Sequence, residues 1–350
     1  MTTSPPSSES TKYKTLSILG EGTYGKVFQA LNTQTNQTVA IKKVKASVGA
    51  EGLHFTTIRE IKTMKAVGNH PNVVSLLDIF IEGSSLALVM PYLQMDLKQL
   101  IADRSVVLSM SHIKCIMKQL IAGTAALHAK WILHRDLAPA NVLIETSTGL
   151  LKLADFGLSR SFGSPYPGVL GRKRTFGGLM TSMVVTLWYR SPELLFGAQQ
   201  YGGGVDVWSL ACIFSELFPR MASGEASATT TFQVRAPLFP AQSETEQLQK
   251  IFELLGTPTD QTWRDSSNFR HFMRFTHLPP PEGSWPKDLF SIDAAPETDQ
   301  ILSAMLNLDP RKRPSCSELL ASGYLNGSVA PRPCSEAALA KQVLCHIRSK

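Results

Sequence analysis

Hydrophobic and polar residues alternate in the first part of the chain and recur at helical spacing in the second. Between Tyr13 and Met90 turn residues interrupt the alternation, which predicts a small antiparallel sheet with one helix. From Ser111 the spacing becomes helical. A long buried face is predicted at Ile113, Ile116, Met117, Leu120, Ile121, Thr124 and Leu127. The chain stays mostly helical to about residue 325, so we predict an α+β protein in which a β-rich lobe precedes an α-rich lobe.

Changes in composition divide the chain into five predicted segments. Residues 1–11 are rich in Ser, Thr and Pro and are expected to be disordered. A β-rich lobe, a hinge, an α-rich lobe and a tail follow, at residues 12–91, 92–96, 97–326 and 327–350. Residues 93–100 are expected to act as a connector. Loops are expected in the second lobe at residues 161–180, 221–231 and 277–286.

The composition is that of a soluble globular protein. Hydrophobic residues make up 43% of the chain, and the mean hydropathy is −0.02. No apolar run reaches the roughly 18 residues of a membrane-spanning helix, and the polar first segment lacks the apolar core of a secretory leader. Five cysteines stand far apart without a C-x-x-C pair. This spacing predicts a reducing compartment, with neither a zinc site nor a disulfide framework.

The net charge of +7 suits phosphate-rich ligands and acidic partners. An excess of Lys and Arg over Asp and Glu is also typical of nucleic-acid-binding modules. Such a module remains an alternative, although no DNA- or RNA-binding motif is present. We expect no direct contact with nucleic acid and no membrane association.

Residues 133–160 carry the strongest chemical signal. They read L-H-R-D-L-A-P-A-N-V-L-I and, after a spacer, L-K-L-A-D-F-G-L-S-R. Asp136, Asn141 and Asp155 supply the two carboxylates and the amide that metal-assisted phosphoryl transfer requires. One acid orients the attacking hydroxyl and accepts its proton, while the other two groups hold Mg²⁺ on nucleotide phosphates.

Two apolar runs in this stretch predict a short hairpin. Residues 141–144 and 150–154 flank the turn sequence T-S-T-G at residues 146–149. The hairpin would place Asn141 and Asp155 at its two ends.

A glycine-rich segment in the first lobe predicts a phosphate cradle. Gly20, Gly22 and Gly25 form G-x-G-x-x-G, whose glycines let the backbone approach phosphates closely. Dinucleotide sites share this motif but need a helix after it, whereas a strand is predicted at residues 26–30. Lys42, in V-A-I-K, ends an apolar strand and can reach the phosphates. Glu60, in T-I-R-E-I, is the candidate anion that holds it.

These motifs together resemble those of the eukaryotic protein kinases, over about residues 13–325. The resemblance implies the bilobal kinase fold with ATP between the lobes and Mg²⁺ on its phosphates. The catalytic residues that it implies are Lys42, Glu60, Asp136, Asn141, Asp155 and Thr186. The ATP-binding residues that it implies are Leu19, Gly20, Glu21, Gly22, Thr23, Tyr24, Gly25, Val27, Ala40, Lys42, Met90, Leu93, Asp96 and Leu143.

The resemblance also implies individual roles around the nucleotide. Lys42 would pair with Glu60 and contact the phosphates. Leu93 would bond adenine through its backbone, behind Met90 as the gatekeeper residue, and Asp96 would lie near the ribose. Asp136 would be the catalytic base, and Asn141 and Asp155 would bind Mg²⁺.

Several motifs are similar to those of the cyclin-dependent kinases. E-G-L-H-F-T-T-I-R-E at residues 51–60 resembles their cyclin-binding helix. V-V-T-L-W-Y-R-S-P-E at residues 184–193 resembles the end of their activation segment, which is expected here at 155–193. G-V-D-V-W-S-L, L-G-T-P and D-P-R-K-R-P agree with this family. By the same resemblance Arg313 should pair with Glu193 as a structural buttress.

Within that family, four motifs resemble the group that activates other cyclin-dependent kinases and phosphorylates the C-terminal repeat of RNA polymerase II. They are S-F-G-S-P, E-L-L-F-G-A-x-x-Y-G-x-G-V-D, I-R-E-I-K and P-R-P-C. This resemblance implies a cyclin H-like partner on the helix at 51–60, an assembly factor, protein substrates, and a nuclear and cytoplasmic location. Thr23 and Tyr24 look more like the cell-cycle members that act on Ser/Thr-Pro sites, and those members remain an alternative.

A phosphorylation switch is also implied by the resemblance. Three arginines are expected to converge on one phosphothreonine: Arg59, Arg135 and Arg160. Thr181, in M-T-S-M, is the best match for that residue, and Thr175 is the competing candidate. A phosphate there would bind the arginines and order the segment. Ser164, which precedes Pro165, is a second predicted phosphorylation site.

One position departs from the kinase pattern. Most Ser/Thr kinases have lysine where this chain has Ala138, and that lysine contacts the γ-phosphate and the substrate hydroxyl. Tyrosine kinases also have alanine there but carry an arginine two residues on, where this chain has Ala140. A weakly active, cyclin-binding scaffold is therefore another alternative. Residues 166–180 and 221–231 are insertions relative to the family spacing and carry no assigned role.

Overall fold

The first lobe is a five-stranded antiparallel sheet with one helix. The computed structural model describes residues 12–22, 25–45, 54–83, 85–162, 187–198, 200–221, 233–264, 266, 296–329 and 331–347. The strands are β1 (Tyr13–Gly22), β2 (Gly25–Asn32), β3 (Gln37–Lys45), β4 (Asp78–Glu82) and β5 (Ser85–Pro91), in the order β1-β2-β3-β5-β4. Helix α1 (Phe55–Val67) lies between β3 and β4 in the chain. The predicted sheet with one helix is confirmed.

Side chains that alternate along these strands bury one face of the sheet. The core residues of this face are Ala30, Val39, Ile41, Phe80, Ala87 and Val89. Tyr13 stacks on Phe80 at 5.5 Å between ring centroids, and its hydroxyl donates to Asp78 Oδ2 at 2.8 Å. The opposite polar positions stay near solvent, which is why the sequence alternates with a period of two.

The other helices that the structure describes lie in the second lobe. They are α2 (Leu97–Ala102), α3 (Met110–Ala129), α4 (Pro192–Leu195), α5 (Gly204–Leu217), α6 (Glu244–Leu255), α7 (Pro296–Met305), α8 (Cys316–Ala321), α9 (Gly323–Asn326) and α10 (Glu336–Ile347). Short 3₁₀ turns lie at Pro139–Asn141, Leu187–Tyr189 and Pro310–Lys312. The order of a β-rich lobe and then an α-rich lobe confirms the predicted α+β bilobal fold.

Short strands complete the second lobe. They are β6 (Met95–Asp96), β7 (Ile132–Leu133), β8 (Val142–Glu145), β9 (Leu150–Leu153), β10 (Arg160–Ser161), β11 (Arg220–Met221) and β12 (Gln233–Val234). Strands β8 and β9 form the predicted hairpin, and β6 pairs with the free edge of β8.

Helix α3 is the long helix expected after Ser111. It begins with a capping box in which Ser109 and His112 satisfy each other's backbone amides. All seven predicted face positions are buried, and the helix runs through the main core. The capping box therefore sets the start of the helix, and the largely apolar stripe explains its burial.

The prediction of a connector at residues 93–100 is wrong over its second half. There the chain forms β6 and then α2, because Asp96 Oδ1 accepts a hydrogen bond from the Gln99 amide at 2.7 Å and caps the helix. Leu97 and Leu100 are buried in the core, which stabilises a helix too short to form alone.

The segment at 327–350 contains a docked helix, α10. Leu339 and Val343 are buried in the main core, and Ala340 beside them is buried as well. Among the helices that the structure describes, none combines the length and apolar character needed to cross a membrane. The expectations for residues 1–11 and 277–286, and for most of 161–180 and 221–231, lie outside the described residues.

Candidate active site

The hairpin of β8 and β9 brings polar side chains together at its open end. The Ala154 amide donates to the Asn141 carbonyl oxygen at 2.9 Å, so Asn141 and Asp155 lie beside one another beyond the last paired residues. Asn141 Nδ2 donates to the Asp136 carbonyl oxygen at 2.8 Å and to Asp136 Oδ2 at 3.1 Å. The amide therefore fixes the Asp136 carboxylate and keeps its own oxygen as an acceptor.

The backbone that precedes Asp136 is held by a buried carboxylate on α5. Asp206 Oδ2 accepts from the His134 amide at 2.9 Å, and Oδ1 accepts from the Arg135 amide at 2.8 Å. His128 Nε2 lies 2.8 Å from Oδ2, so this half-buried histidine contacts the Asp206 carboxylate. Burial by itself raises the pKa of Asp206, but these hydrogen bonds together hold it below its ordinary value. Arg135 has a φ of +67°, a strained conformation that these bonds maintain.

Sequence reasoning did not assign a role to Asp206. The signal was an acidic residue in the apolar first turn of G-V-D-V-W-S-L, where all neighbours are core residues. A buried acid at such a position needs several donors, and only its position in space shows that the donors come from the catalytic loop.

The environment of Asp136 makes it a proton acceptor near neutral pH. Burial and, to a smaller extent, the Asp155 carboxylate raise the pKa of Asp136 to about 7, although the bond from Asn141 and the charge of Arg190 oppose the rise. A pKa near the working pH is the value that favours general-base catalysis.

Lys42 and Glu60 form a buried ion pair across the first lobe. Lys42 Nζ lies 2.7 Å from Glu60 Oε2 and 2.8 Å from Oε1. The register of β3 and the burial of Glu60 on the inner face of α1 bring them together. Burial raises the pKa of Glu60, the Lys42 charge acts in the opposite direction, and Asp155 adds to the rise. The pair fixes the ammonium group, as predicted for a residue that contacts phosphates.

A cavity of about 700 Å³ joins these groups. Ten of the residues predicted to bind ATP line it: Leu19, Gly20, Gly25, Val27, Ala40, Lys42, Met90, Leu93, Asp96 and Leu143. Glu60, Asp136, Asn141 and Asp155 line it as well. The walls are mostly apolar where a base would lie and polar where phosphates would lie, which is the usual arrangement of a nucleotide pocket.

Glu21 was predicted to bind ATP but is not among the described residues that line the cavity. It belongs to β1 and pairs with Lys26 at 3.3 Å, and Gly22 is the last residue of that strand. Thr23 and Tyr24 lie outside the described residues, as do Thr186, Ser164, Thr175 and Thr181. The Asp96 carboxylate lines the cavity but also caps α2.

Sequence reasoning missed several residues that line the cavity. They include Thr56, Val74, Gln99, Ala154, Gly157 and Leu158. Ala138 and Ala140, the two departures from the kinase pattern, line it as well. Val74 precedes β4 and carries no motif, so only packing reveals it. Ala138 is nearly buried, and among the described residues that line the cavity Lys42 is the one basic side chain.

Three arginines gather at the edge of the site. Burial lowers the pKa of Arg59, and the charges of Arg135 and Arg160 lower it further. Arg135 donates from Nε to the Leu158 carbonyl oxygen at 2.7 Å and from Nη1 to the Tyr201 hydroxyl at 2.8 Å. Like charges held this close favour an anionic ligand between them.

The predicted buttress between Glu193 and Arg313 is confirmed. Arg313 Nη1 lies 2.6 Å from Glu193 Oε1, and Nη2 lies 2.9 Å from Oε2. Both side chains are buried, and the Arg313 guanidinium also lies over the Trp208 ring at 4.9 Å. This pair ties the end of the expected activation segment to the helical lobe.

The start of α1 corrects the predicted boundary of the cyclin-binding helix. The helix was expected over residues 51–60 but begins at Phe55, because His54 has a non-helical backbone and accepts from the Thr56 amide as its N-cap. Residues 51–53 lie outside the described residues. Phe55 and Ile58 are exposed on this helix although both are large and apolar.

The oxygen donors at the hairpin end fit Mg²⁺. The Asn141 amide oxygen and the Asp155 carboxylate are hard oxygen donors, and Mg²⁺ is usually held by one or two such groups together with phosphates and water. Among the described residues there is no cluster of three or more His, Cys, Asp or Glu side chains that would form an all-protein metal cage. The donor set therefore suits a metal that arrives with a nucleotide.

Comparison with known proteins places these features in a family. Residues 13–325 match the protein kinase domain. The chain is 39% identical to cyclin-dependent kinase 7 of Xenopus laevis, over 96% of this chain and 89% of that protein. It is 39% identical to the serine/threonine-protein kinase crk1 of Schizosaccharomyces pombe, over 90% and 84%, and 37% identical to cyclin-dependent kinase D-1 of Arabidopsis thaliana, over 93% and 74%.

Proposed function

The chain belongs to the protein kinase family, as a serine/threonine kinase of the cyclin-dependent group, and from this premise we propose its reaction and substrates. It transfers the γ-phosphoryl group of ATP to serine or threonine hydroxyls. Its substrates are the activation loops of other cyclin-dependent kinases and the C-terminal repeat of RNA polymerase II. The observation that supports the reaction best is the meeting of Asp136, Asn141 and Asp155 with the Lys42–Glu60 pair in one cavity.

Each of the polar residues of the cavity has its own role in the reaction. Asp136 accepts the proton of the attacking hydroxyl at its carboxylate, which Asn141 orients. Lys42, fixed by Glu60, holds the phosphates as a point charge. Mg²⁺, when bound through Asn141 and Asp155, supplies positive charge that offsets the charge on the phosphates. Most of the rate enhancement then comes from positioning and electrostatic stabilisation.

The proposed partner is a cyclin, of the cyclin H type, bound at α1. Exposed Phe55 and Ile58 supply apolar contacts, and the same helix carries Glu60 on its inner face and Arg59 at the arginine cluster. A protein that binds α1 and shifts it would therefore change the positions of both Glu60 in the ion pair and Arg59 in the arginine cluster. Nuclear and cytoplasmic location, and an assembly factor as a further partner, belong to the same proposal.

The test is phosphate transfer by the purified chain with and without a cyclin H-like partner. The substrates are a heptad-repeat polymerase peptide, an inactive cyclin-dependent kinase that carries its activation loop and a generic Ser-Pro peptide, and Asp155→Asn is the blank. Partner-dependent transfer to both substrates supports the proposal. Transfer only to generic Ser-Pro peptides favours a cell-cycle kinase. ATP binding without transfer above the blank favours the scaffold, for which the Ala138 departure is the motivating observation.

We expect Ala138→Lys to increase the rate constant of transfer by about tenfold or more, because a cation at the floor of the cavity adds roughly 1.4 kcal/mol or more of charge stabilisation in the transition state. Ala138 lines the cavity beside Asp136, so a lysine there reaches the reacting groups. The measurement is kcat with saturating MgATP and cyclin. Ala102→Lys adds the same charge at an exposed position and should leave kcat unchanged. A kcat for Ala138→Lys no higher than wild type would show that another group already supplies this charge.

Thr181→Ala should lower cyclin-supported activity by more than about tenfold. A phosphothreonine brings about two negative charges to the cluster of Arg59, Arg135 and Arg160, and alanine removes them. Activity on a peptide substrate is compared after treatment with an activating kinase, with Thr175→Ala as the matched control. Equal rates for Thr181→Ala and wild type, with a loss in Thr175→Ala, would transfer the role to Thr175.

A further inference from the structure

The turn of the catalytic hairpin lies directly against the C-terminal helix. Gly149, in the turn between β8 and β9, has a φ of +78°. A Cβ atom on this residue would stand 2.1 Å from the Glu336 carbonyl oxygen and 2.9 Å from the Ala340 amide nitrogen. Both atoms belong to the backbone of α10, so no side chain can rotate away to make room. The turn and the helix are therefore in contact through their main chains.

Helix α10 is in turn fixed to the body of the second lobe. Leu339 and Val343 are fully buried against the main core. Gln342 Nε2 donates to the Val107 carbonyl oxygen at 2.7 Å, and the Cys334 amide donates to the Ser111 carbonyl oxygen at 3.1 Å. The helix thus has apolar and polar anchors on both sides of the point where it touches the turn.

A buried network of side-chain amides binds the backbone of the hairpin at its turn and at the start of β9. Gln119, on α3, donates from Nε2 to the Gly149 carbonyl oxygen at 3.1 Å, and its Oε1 accepts from the Leu151 amide at 2.9 Å. Asn72 Nδ2 donates to the Leu151 carbonyl oxygen at 3.0 Å and to Gln119 Oε1 at 3.1 Å. Both amide side chains are almost wholly buried, where such bonds are costly to leave unmade.

The network continues along β9 to the candidate metal-binding end. The Leu153 amide donates to the Asn72 carbonyl oxygen at 3.0 Å, and the Val74 amide donates to the Leu153 carbonyl oxygen at 2.9 Å. Strand β9 ends at Leu153, two residues before Asp155. The strand is therefore held by β8 on one edge and by residues 72–74 on the other, and it connects the turn at Gly149 directly to Asp155.

We propose that α10 and Gln119 are positioning elements for the active site: they clamp the turn at Gly149 and so hold Asp155, through strand β9, where it binds Mg²⁺ with the nucleotide. This inference rests on the proposed function, because it assigns the metal to Asp155. None of the clamp's described residues lines the nucleotide cavity, so its effect reaches the chemistry through the position of the strand. The C-terminal segment is thereby a part of the catalytic domain rather than an appendage.

The test compares Gly149→Ala with Gly83→Ala in the full chain. Gly83 also has a positive φ, of +59°, but a Cβ there meets nothing within 4 Å, so it matches the backbone strain without the contact. The melting temperature is measured with ATP in EDTA and then with ATP and increasing free Mg²⁺. We expect Gly149→Ala to need about tenfold more Mg²⁺ for its metal-dependent rise, with the metal-free rise from ATP unchanged. Gly83→Ala should behave as wild type.

A second pair of variants covers the case in which Gly149→Ala does not fold. Leu339→Ala loosens α10 without changing the hairpin, and Leu248→Ala removes another buried leucine, on α6. Weaker Mg²⁺ binding in Leu339→Ala but not in Leu248→Ala supports the clamp. Wild-type Mg²⁺ binding in Gly149→Ala or in Leu339→Ala overturns it. A wild-type chain with an ATP response but no metal-dependent rise would overturn the metal role of Asp155, and the clamp with it.

Discussion

Asp155→Asn is expected to lower kcat/KM for peptide phosphorylation by about 10³-fold, because loss of the metal's anionic ligand removes roughly 4 kcal/mol of charge stabilisation. Asp155 lies beside Asn141 at the open end of the hairpin, and no other acidic side chain among the described residues both lines the cavity and adjoins Asn141 apart from Asp136. The amide has the same size and leaves the backbone unchanged. The substitution therefore acts on charge and not on packing.

The measurement pairs kinetics with folding. The rate is taken with cyclin and saturating MgATP, and the melting temperature is taken by circular dichroism. Asp260→Asn makes the same chemical change at an exposed position and should leave both values unchanged. A loss of less than tenfold in Asp155→Asn would mean that Asn141 and the phosphates hold the metal without this carboxylate. A large fall in melting temperature would show that Asp155 has a structural role.

Arg313→Met is expected to lower the free energy of unfolding by about 3–5 kcal/mol, because it leaves the Glu193 carboxylate buried without its partner. The guanidinium makes two bonds to Glu193 and further bonds to the carbonyl oxygens of Asn307, Gly204 and Leu308. Removal of the guanidinium leaves all of these buried acceptors without their hydrogen-bond donor. The loss should appear in the midpoint of urea unfolding.

Two variants make this expectation specific. Lys250→Met breaks the exposed pair with Glu246 on α6 and should leave the midpoint nearly unchanged, since exposed pairs are screened by solvent. The double change Arg313→Met with Glu193→Gln should recover part of the loss, because the uncompensated charge is gone. If Arg313→Met alone unfolds at the wild-type midpoint, the buried pair does not stabilise the fold.

Local patterns in the sequence were sufficient for much of the fold and for the chemistry of the site. The alternation before Met90 and the helical spacing after Ser111 predicted the two lobes, because period two and period 3.6 follow from backbone geometry alone. Asp136, Asn141 and Asp155 were predicted from their types and spacing. A short hairpin can place them only in a few ways, so short-range sequence is enough to bring them together.

Local sequence was insufficient at the boundaries of elements. Helix α2 was missed because a cap at Asp96 and the burial of Leu97 and Leu100 stabilise six residues that have no helical period of their own. The start of α1 was placed too early, since the motif at 51–60 describes a family likeness and not the residue at which the backbone turns. Both errors concern residues whose conformation depends on neighbours in space.

The sequence by itself determined which residues of this protein carry the phosphoryl-transfer chemistry, since their types and local spacing are properties of the chain. Only the tertiary structure decided how that chemistry is held in place. Asp206 supports the catalytic loop from 70 or more residues away, and α10 reaches the turn at Gly149 from the far end of the chain. Such supports are formed by buried hydrogen bonds and close backbone contacts between distant segments. Local sequence patterns do not predict these contacts. The hydrogen bonds are strengthened by burial, and burial exists only once the chain has folded.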